Sequence, residues 1–139
     1  MSKHNHAERD KAATLNFFNE VFNKGNLALI DATLAPNYLF NGQLNTPAQL
    51  TAFCAGVRTS MPDINITVRN ILSEDGMVGL HWQLTATRAA GPGLPRNKVT
   101  ASGTNLIGWN EEGKATFCIL NGSSTVTGTL TFTDSLIYQ

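Results

Sequence analysis

The strongest constraint on this chain is a change in the period of its apolar residues at Asp63. Before that point Ala12, Leu15, Phe18 and Phe22, and later Leu50, Phe53, Cys54, Val57 and Met61, recur at the spacing of one helix face. After it Ile64, Ile66 and Val68 alternate with Asn65, Thr67 and Arg69, which is the period of a half-buried strand. A helical half followed by a strand half buries both apolar faces by laying the helices on one side of the sheet, so the order predicts an α+β fold. The 139 residues, 42% of them hydrophobic, suffice for one core, and we expect a single domain over 1–139 with residues 1–5 as a disordered tail.

Local signals place the elements. Asn5 and Glu8 have capping-pair spacing and predict a first helix over 6–24, closed by Gly25. Asn26 then caps a second helix, NLALIDATLA, that stops before Pro36. Residues 37–41 read as a short strand or extended turn, and Thr46-Pro47 starts a third helix. Asp75-Gly76 marks a tight turn into a strand over 77–88, and a Gly/Pro-rich loop follows at 89–97. Strands over 99–109 and 114–121 flank a turn at 110–113, and 125–133 alternates as a further strand.

Composition removes several functions. The formal net charge is zero with the basic residues scattered, so no electrostatic footprint for nucleic acid exists. No window approaches the roughly 18 apolar residues of a membrane span, and the polar start lacks a secretory core, which predicts a cytoplasmic protein. The glycines of AAGPGLP do not open a helix after a strand, and no group of His, Cys or acids has ligand spacing, so neither cofactor nor metal is expected. Cys54 and Cys118 lie in apolar segments and read as buried free thiols rather than a disulfide.

The stretches NEVFNKGNLALIDATLAPNYLF, VRTSMPDINITV, HWQLTATR and SGTNLIGWNEEGKA, in that order and spacing, resemble the SnoaL-like polyketide cyclase or ester cyclase branch of the nuclear-transport-factor-2-like superfamily. The resemblance implies a cone-shaped α+β barrel, with three N-terminal helices packed on a curved antiparallel sheet of four to six strands around one apolar pocket. It also implies a homodimer formed through the outer sheet face. It does not specify a reaction, because this scaffold hosts isomerases, cyclases, hydrolases and binding domains. The family's cyclases move protons with an aspartate on the strand after the Gly-Lys turn; counted from Gly113-Lys114, that place falls on Leu120, or on Asn121 one residue later, and neither titrates. In ketosteroid isomerases, a sister branch, the tyrosine, the base and the oxyanion-stabilising acid correspond to Phe18, Asn41 and Asn105. HWQLTATR supplies no part of the Asp-Arg-Asp relay of limonene epoxide hydrolases.

What remains is a pocket with polar handles and no obvious base. Asn105 is placed to donate to a ligand carbonyl and Asn41 to orient a hydroxyl; equally, both residue types satisfy turns and strand ends. Phe18, Tyr38, Phe53, Trp82 and Trp109, with Phe40 and Met61, furnish walls for a ring-bearing apolar molecule, or simply a core. Alternation sends Val78, Leu80, Trp82, Leu84 and Ala86 inward, and His81, Gln83, Thr85 and Thr87 outward. Arg88 shares the inward parity, at the pocket mouth or exposed at the strand end. His81, the only histidine outside the tail that carries His4 and His6, and Asp63 are the weak candidates for a base, His81 facing outward toward surface or interface. Asp134 reaches the pocket if the preceding segment folds back as an insertion. The expectation is a protein that binds a small hydrophobic, carbonyl-containing molecule. Two rivals are a cyclase or isomerase working through positioning with His81 or Asp63, and an interaction module using its outer sheet face, against which the polar Gln83, Thr85 and Thr87 count.

Overall fold

The computed structural model describes the backbone of residues 6–89 and 96–126, and side chains there except at 88–89, 96–97 and 123–126. Helix α1 (Ala7–Phe17) runs directly into a π-helical segment, Phe18–Asn23, so the two together occupy the predicted first helix. Its N-cap is His6, whose side chain gives no capping bond, and the expected Asn5 cap lies outside the described residues. His6 is not tail: its carbonyl accepts from Asp10 N and its Nε2 lies 3.3 Å from Glu111 Oε1. Gly25, at φ 79°, makes the predicted left-handed closure, and a Cβ there would stand 2.8 Å from Arg58 Nε.

Helix α2 is only Ala28–Thr33, and Asn26 does not cap it; the Asn26 amide turns back to Glu20 Oε1 at 3.5 Å. The helix ends before the expected position because Pro36 pushes Ala35 out of helical geometry, and Leu34 is already extended. Strand β1 (Leu34–Phe40) follows, then the two-residue β2 (Gln43–Leu44). Helix α3 (Pro47–Ser60) opens with a full capping box: Thr46 Oγ1 accepts from Gln49 N at 3.1 Å, and Gln49 Oε1 accepts from Thr46 N at 2.8 Å.

Strands β3 (Asn65–Glu74), β4 (Met77–Ala89), β5 (Arg96–Trp109) and β6 (Ala115–Val126) form an antiparallel run. Asp75 and Gly76, at φ 53° and 76°, make the tight turn expected between β3 and β4. The sheet order is β2-β1-β6-β5-β4-β3, and β1 lies parallel to β6, so the sheet is mixed rather than antiparallel and does not close into a barrel. The last strand runs to Val126, and the rest of the predicted 125–133 strand lies outside the described residues. Val78, Leu80, Trp82, Leu84 and Ala86 are all buried toward the helices, as their alternation predicts. Among the described residues no helix is long and apolar enough to cross a membrane.

Candidate functional site

Between the helices and the inner sheet face lies a cavity of about 100 Å³. Phe18, Tyr38, Phe53, Trp82, Asn105 and Trp109 all line it, joined by Thr14, Phe40, Leu50, Cys54, Cys118 and Leu120. Among the described residues, its lining includes no Asp, Glu, His, Lys or Arg.

One polar chain crosses this apolar wall. Gly103 faces Trp82 across β4 and β5, and a Cβ at Gly103 would stand only 2.4 Å from Trp82 Cζ2, so the glycine makes room for the indole. Trp82 Nε1 then donates to Asn105 Oδ1 at 2.7 Å. Because the indole only donates, it fixes the oxygen end of the amide, and Asn105 Nδ2 is turned to Cys118 Sγ at 3.1 Å. The Tyr38 hydroxyl neighbours the same sulfur. Across the cavity, Trp109 Nε1 donates to Thr14 Oγ1 at 3.1 Å, and Thr14 Oγ1 donates to Asp10 O at 2.8 Å.

The titratable members of the wall are held protonated. Burial pushes the Cys118 thiol up to about 11, against the opposing pull of the Asn105 and Tyr38 side chains. Burial pushes Cys54 up to about 12 and, with Cys118 beside it, raises Tyr38 well above the usual phenol range. None of the three is a base at neutral pH. Both cysteines are free and buried, as expected.

The other candidates stand elsewhere. Asn41 sits at φ 50° just past β1; its N donates to Cys118 O and its Oδ1 accepts from Leu120 N at 2.7 Å, so it splices the strand end to β6 outside the inner cavity. Asp63 is exposed and clamps Thr87, accepting from its N at 2.9 Å and its Oγ1 at 2.8 Å. It is a brace between the α3–β3 turn and β4 and does not line the cavity, and His81 points to the opposite sheet face. Neither weak base candidate reaches the cavity. The side chain of Arg88, and all of Asp134, lie outside the described residues.

Asp10 is a buried acid that no local pattern marks, since acids in a first helical turn ordinarily face water. Its carboxylate takes Arg9 Nη2 at 2.9 Å, and Arg9 also donates to Asn110 O and Glu111 O, tying α1 to the β5–β6 turn. Among the described residues no group of three or more His, Cys, Asp or Glu is placed to hold a metal.

The family model for SnoaL-like polyketide cyclases matches residues 12–114. The chain belongs to the SnoaL-like polyketide cyclase family. Solved structures similar to this SnoaL-like chain include a protein from Acidithiobacillus ferrooxidans provisionally assigned as a polyketide cyclase, 21% identical, covering 83% of this chain and 88% of that one at a TM-score of 0.72. A SnoaL-like protein of Jannaschia sp. CCS1, assigned in the same way, is 16% identical, covering 88% and 91% at a TM-score of 0.69. SalBIII, described as an epoxide hydrolase/cyclase-like enzyme in pyran ring formation in polyether salinomycin, is 15% identical, covering 84% and 92% at a TM-score of 0.66. No curated protein matches the sequence. At these identities the neighbours speak for the SnoaL-like fold alone. Of the two positions that the resemblance gives for the cyclase aspartate, Leu120 lines the cavity and Asn121 is exposed.

Proposed function

We propose that this SnoaL-like chain binds a small apolar molecule bearing a carbonyl group in its inner cavity, holding it without proton abstraction. The orientation of Asn105 carries the reading: with Oδ1 committed to Trp82 and one N–H to Cys118, the second N–H remains to meet a carbonyl oxygen. Aromatic walls suit a ring, and the volume of about 100 Å³ sets its size. A dry cavity of about 150 Å³ takes benzene and a drug-sized ligand needs about 300–1,000 Å³, so a six-membered ring enters this cavity only as wall side chains such as Phe40 and Phe53 move aside. Cyclase chemistry like that named for the relatives needs a group to move protons, and among the described residues the lining offers no carboxylate or imidazole for it.

Trp82 and Trp109 both line the cavity and supply the readout. Titration with cyclohexanone is expected to change tryptophan emission saturably, and Asn105→Ala to weaken binding by roughly tenfold, one hydrogen bond's worth. Emission that stays unchanged up to the solubility limit of the ketone sinks the reading.

A second copy of the chain is the partner that the outer sheet face fits. Leu72, Gly79, Leu106 and Ile119 stand directly opposite one another across β3 to β6, forming one row without a charged side chain. Leu72 is 79% exposed, and Leu106 and Ile119 are also exposed. The polar outward residues His81, Gln83, Thr85 and Thr87 occupy β4 beyond Gly79, so the polar face anticipated from β4 adjoins the apolar row.

A further inference from the structure

The inner cavity shares three of its walls with a second depression, of about 520 Å³, outside the β1–β2 hairpin and the start of α3. Phe40, Leu50 and Phe53 line both spaces. The Phe40 and Phe53 rings stand 6.2 Å apart, centre to centre, with their planes at 44°, and both are half-buried. The partition between the chambers is therefore made of side chains, and opening it breaks no strand pairing.

The outer chamber has different chemistry. Besides the shared residues it is lined, among the described residues, by Asn41, Gln43, Leu44, Asn45 and Gln49, which are four amides and one leucine without a charge. Gln49 is fixed by its Oε1 in the capping box, which leaves its Nε2 as a donor directed away from the cap. Asn45 Oδ1 is buried without a hydrogen-bond partner. A buried acceptor left unmade is a standing cost, relieved when a donor arrives.

Building on the binding role proposed above, we infer that the ligand spans both chambers: an apolar ring inside, a neutral hydrogen-bonding arm such as a hydroxyl or amide outside, and Phe40 with Phe53 clasping the junction. An anionic arm is disfavoured by the same lining, in which no cation stands among the described residues, since amides alone do not repay the desolvation of a carboxylate or phosphate.

Three probes test this on the intact chain by tryptophan emission: cyclohexanone, the same ring carrying a neutral hydroxyethylcarboxamide arm, and the ring carrying a carboxylate. The neutral arm is expected to tighten binding about tenfold over cyclohexanone, and the carboxylate to give no gain. In the double variant Asn45→Ala, Gln43→Ala the gain should vanish while cyclohexanone binds as before, which also certifies that the variant is folded. Cyclohexanone binding with no gain from the neutral arm, a gain that survives the double variant, or an equal gain from the carboxylate would each overturn the two-chamber ligand and leave the cavity's binding role standing. Failure of all three probes to bind removes both.

Discussion

Asn105 owes its orientation to two neighbours that no local pattern connects to it. Gly103 leaves room for the Trp82 ring, and the ring delivers its N–H to an amide two residues farther along β5. The residue types were legible in the sequence, Asn105 through the family resemblance and Trp82 through strand parity, but their contact is a diagonal across two strands and depends on register. Cys118 was legible only as a small hydrophobe; nothing in its apolar surroundings announced that Asn105 donates to it or that the Tyr38 hydroxyl lies beside it. That burial has a measurable consequence. Its pKa is raised from about 9.0 to about 11 in the folded chain, so the thiol proton is held more tightly there than in the unfolded chain. The stabilisation is complete below about pH 9 and is lost as the pH rises toward 11, because over that window only the unfolded thiol ionises. Urea unfolding of the wild type should therefore lose roughly 2–3 kcal/mol more between pH 9 and 11 than Cys118→Ser, in which Cys54 still titrates but position 118 does not. Parallel stability curves for the two proteins would show that the Cys118 thiol is not held in this way.

Among the elements, local chemistry was readable and distant pairing was not. The Thr46–Gln49 capping box, the Asp75-Gly76 turn and the inward alternation of β4 each rest on residues within a few positions of one another. The parallel pairing of β1 with β6 joins segments about eighty residues apart, and neither strand carries a mark of it. The π-helical end of the first helix is equally silent, yet it places Asn23 against the edge strand β3. There Asn23 Oδ1 accepts from Ile66 N at 2.7 Å and Nδ2 donates to Ile66 O at 3.0 Å, so one amide stands in for a missing neighbour strand. Asn23→Ala removes both bonds and bares the strand edge, and is expected to cost about 1–3 kcal/mol. A urea midpoint that falls with an unchanged slope would register this, whereas an unmoved midpoint would mean that water replaces the amide at no cost.

At the scale of the whole molecule, the two faces of the sheet do different work: the inner one walls the cavity, and the outer one carries the apolar row. That row was missed in the sequence because a face belongs to several strands at once. The β4 residues facing outward read as polar, and the β4 contribution to the row is Gly79, where an added Cβ would meet no neighbouring atom. The apolar bulk comes from Leu72, Leu106 and Ile119 on the other three strands, brought level only by register. Burying what these three side chains still expose, on two copies, gains on the order of 5–10 kcal/mol. Association costs on the order of 4–15 kcal/mol, so gain and cost are of the same order and the proposed dimer stands close enough to balance for one charge to break it. In a two-fold interface, a substitution at Leu106 introduces its charge on both copies. Light scattering should give the wild type at twice the 15.0 kDa chain mass at high micromolar concentration, and Leu106→Glu at the mass of one chain. Thr85→Glu, on the polar end of the same face, should remain dimeric. Because the row and the cavity lie on opposite faces, Leu106→Glu should bind cyclohexanone as the wild type does; a monomeric wild type, or a Leu106→Glu that stays dimeric, would take the second copy off this face.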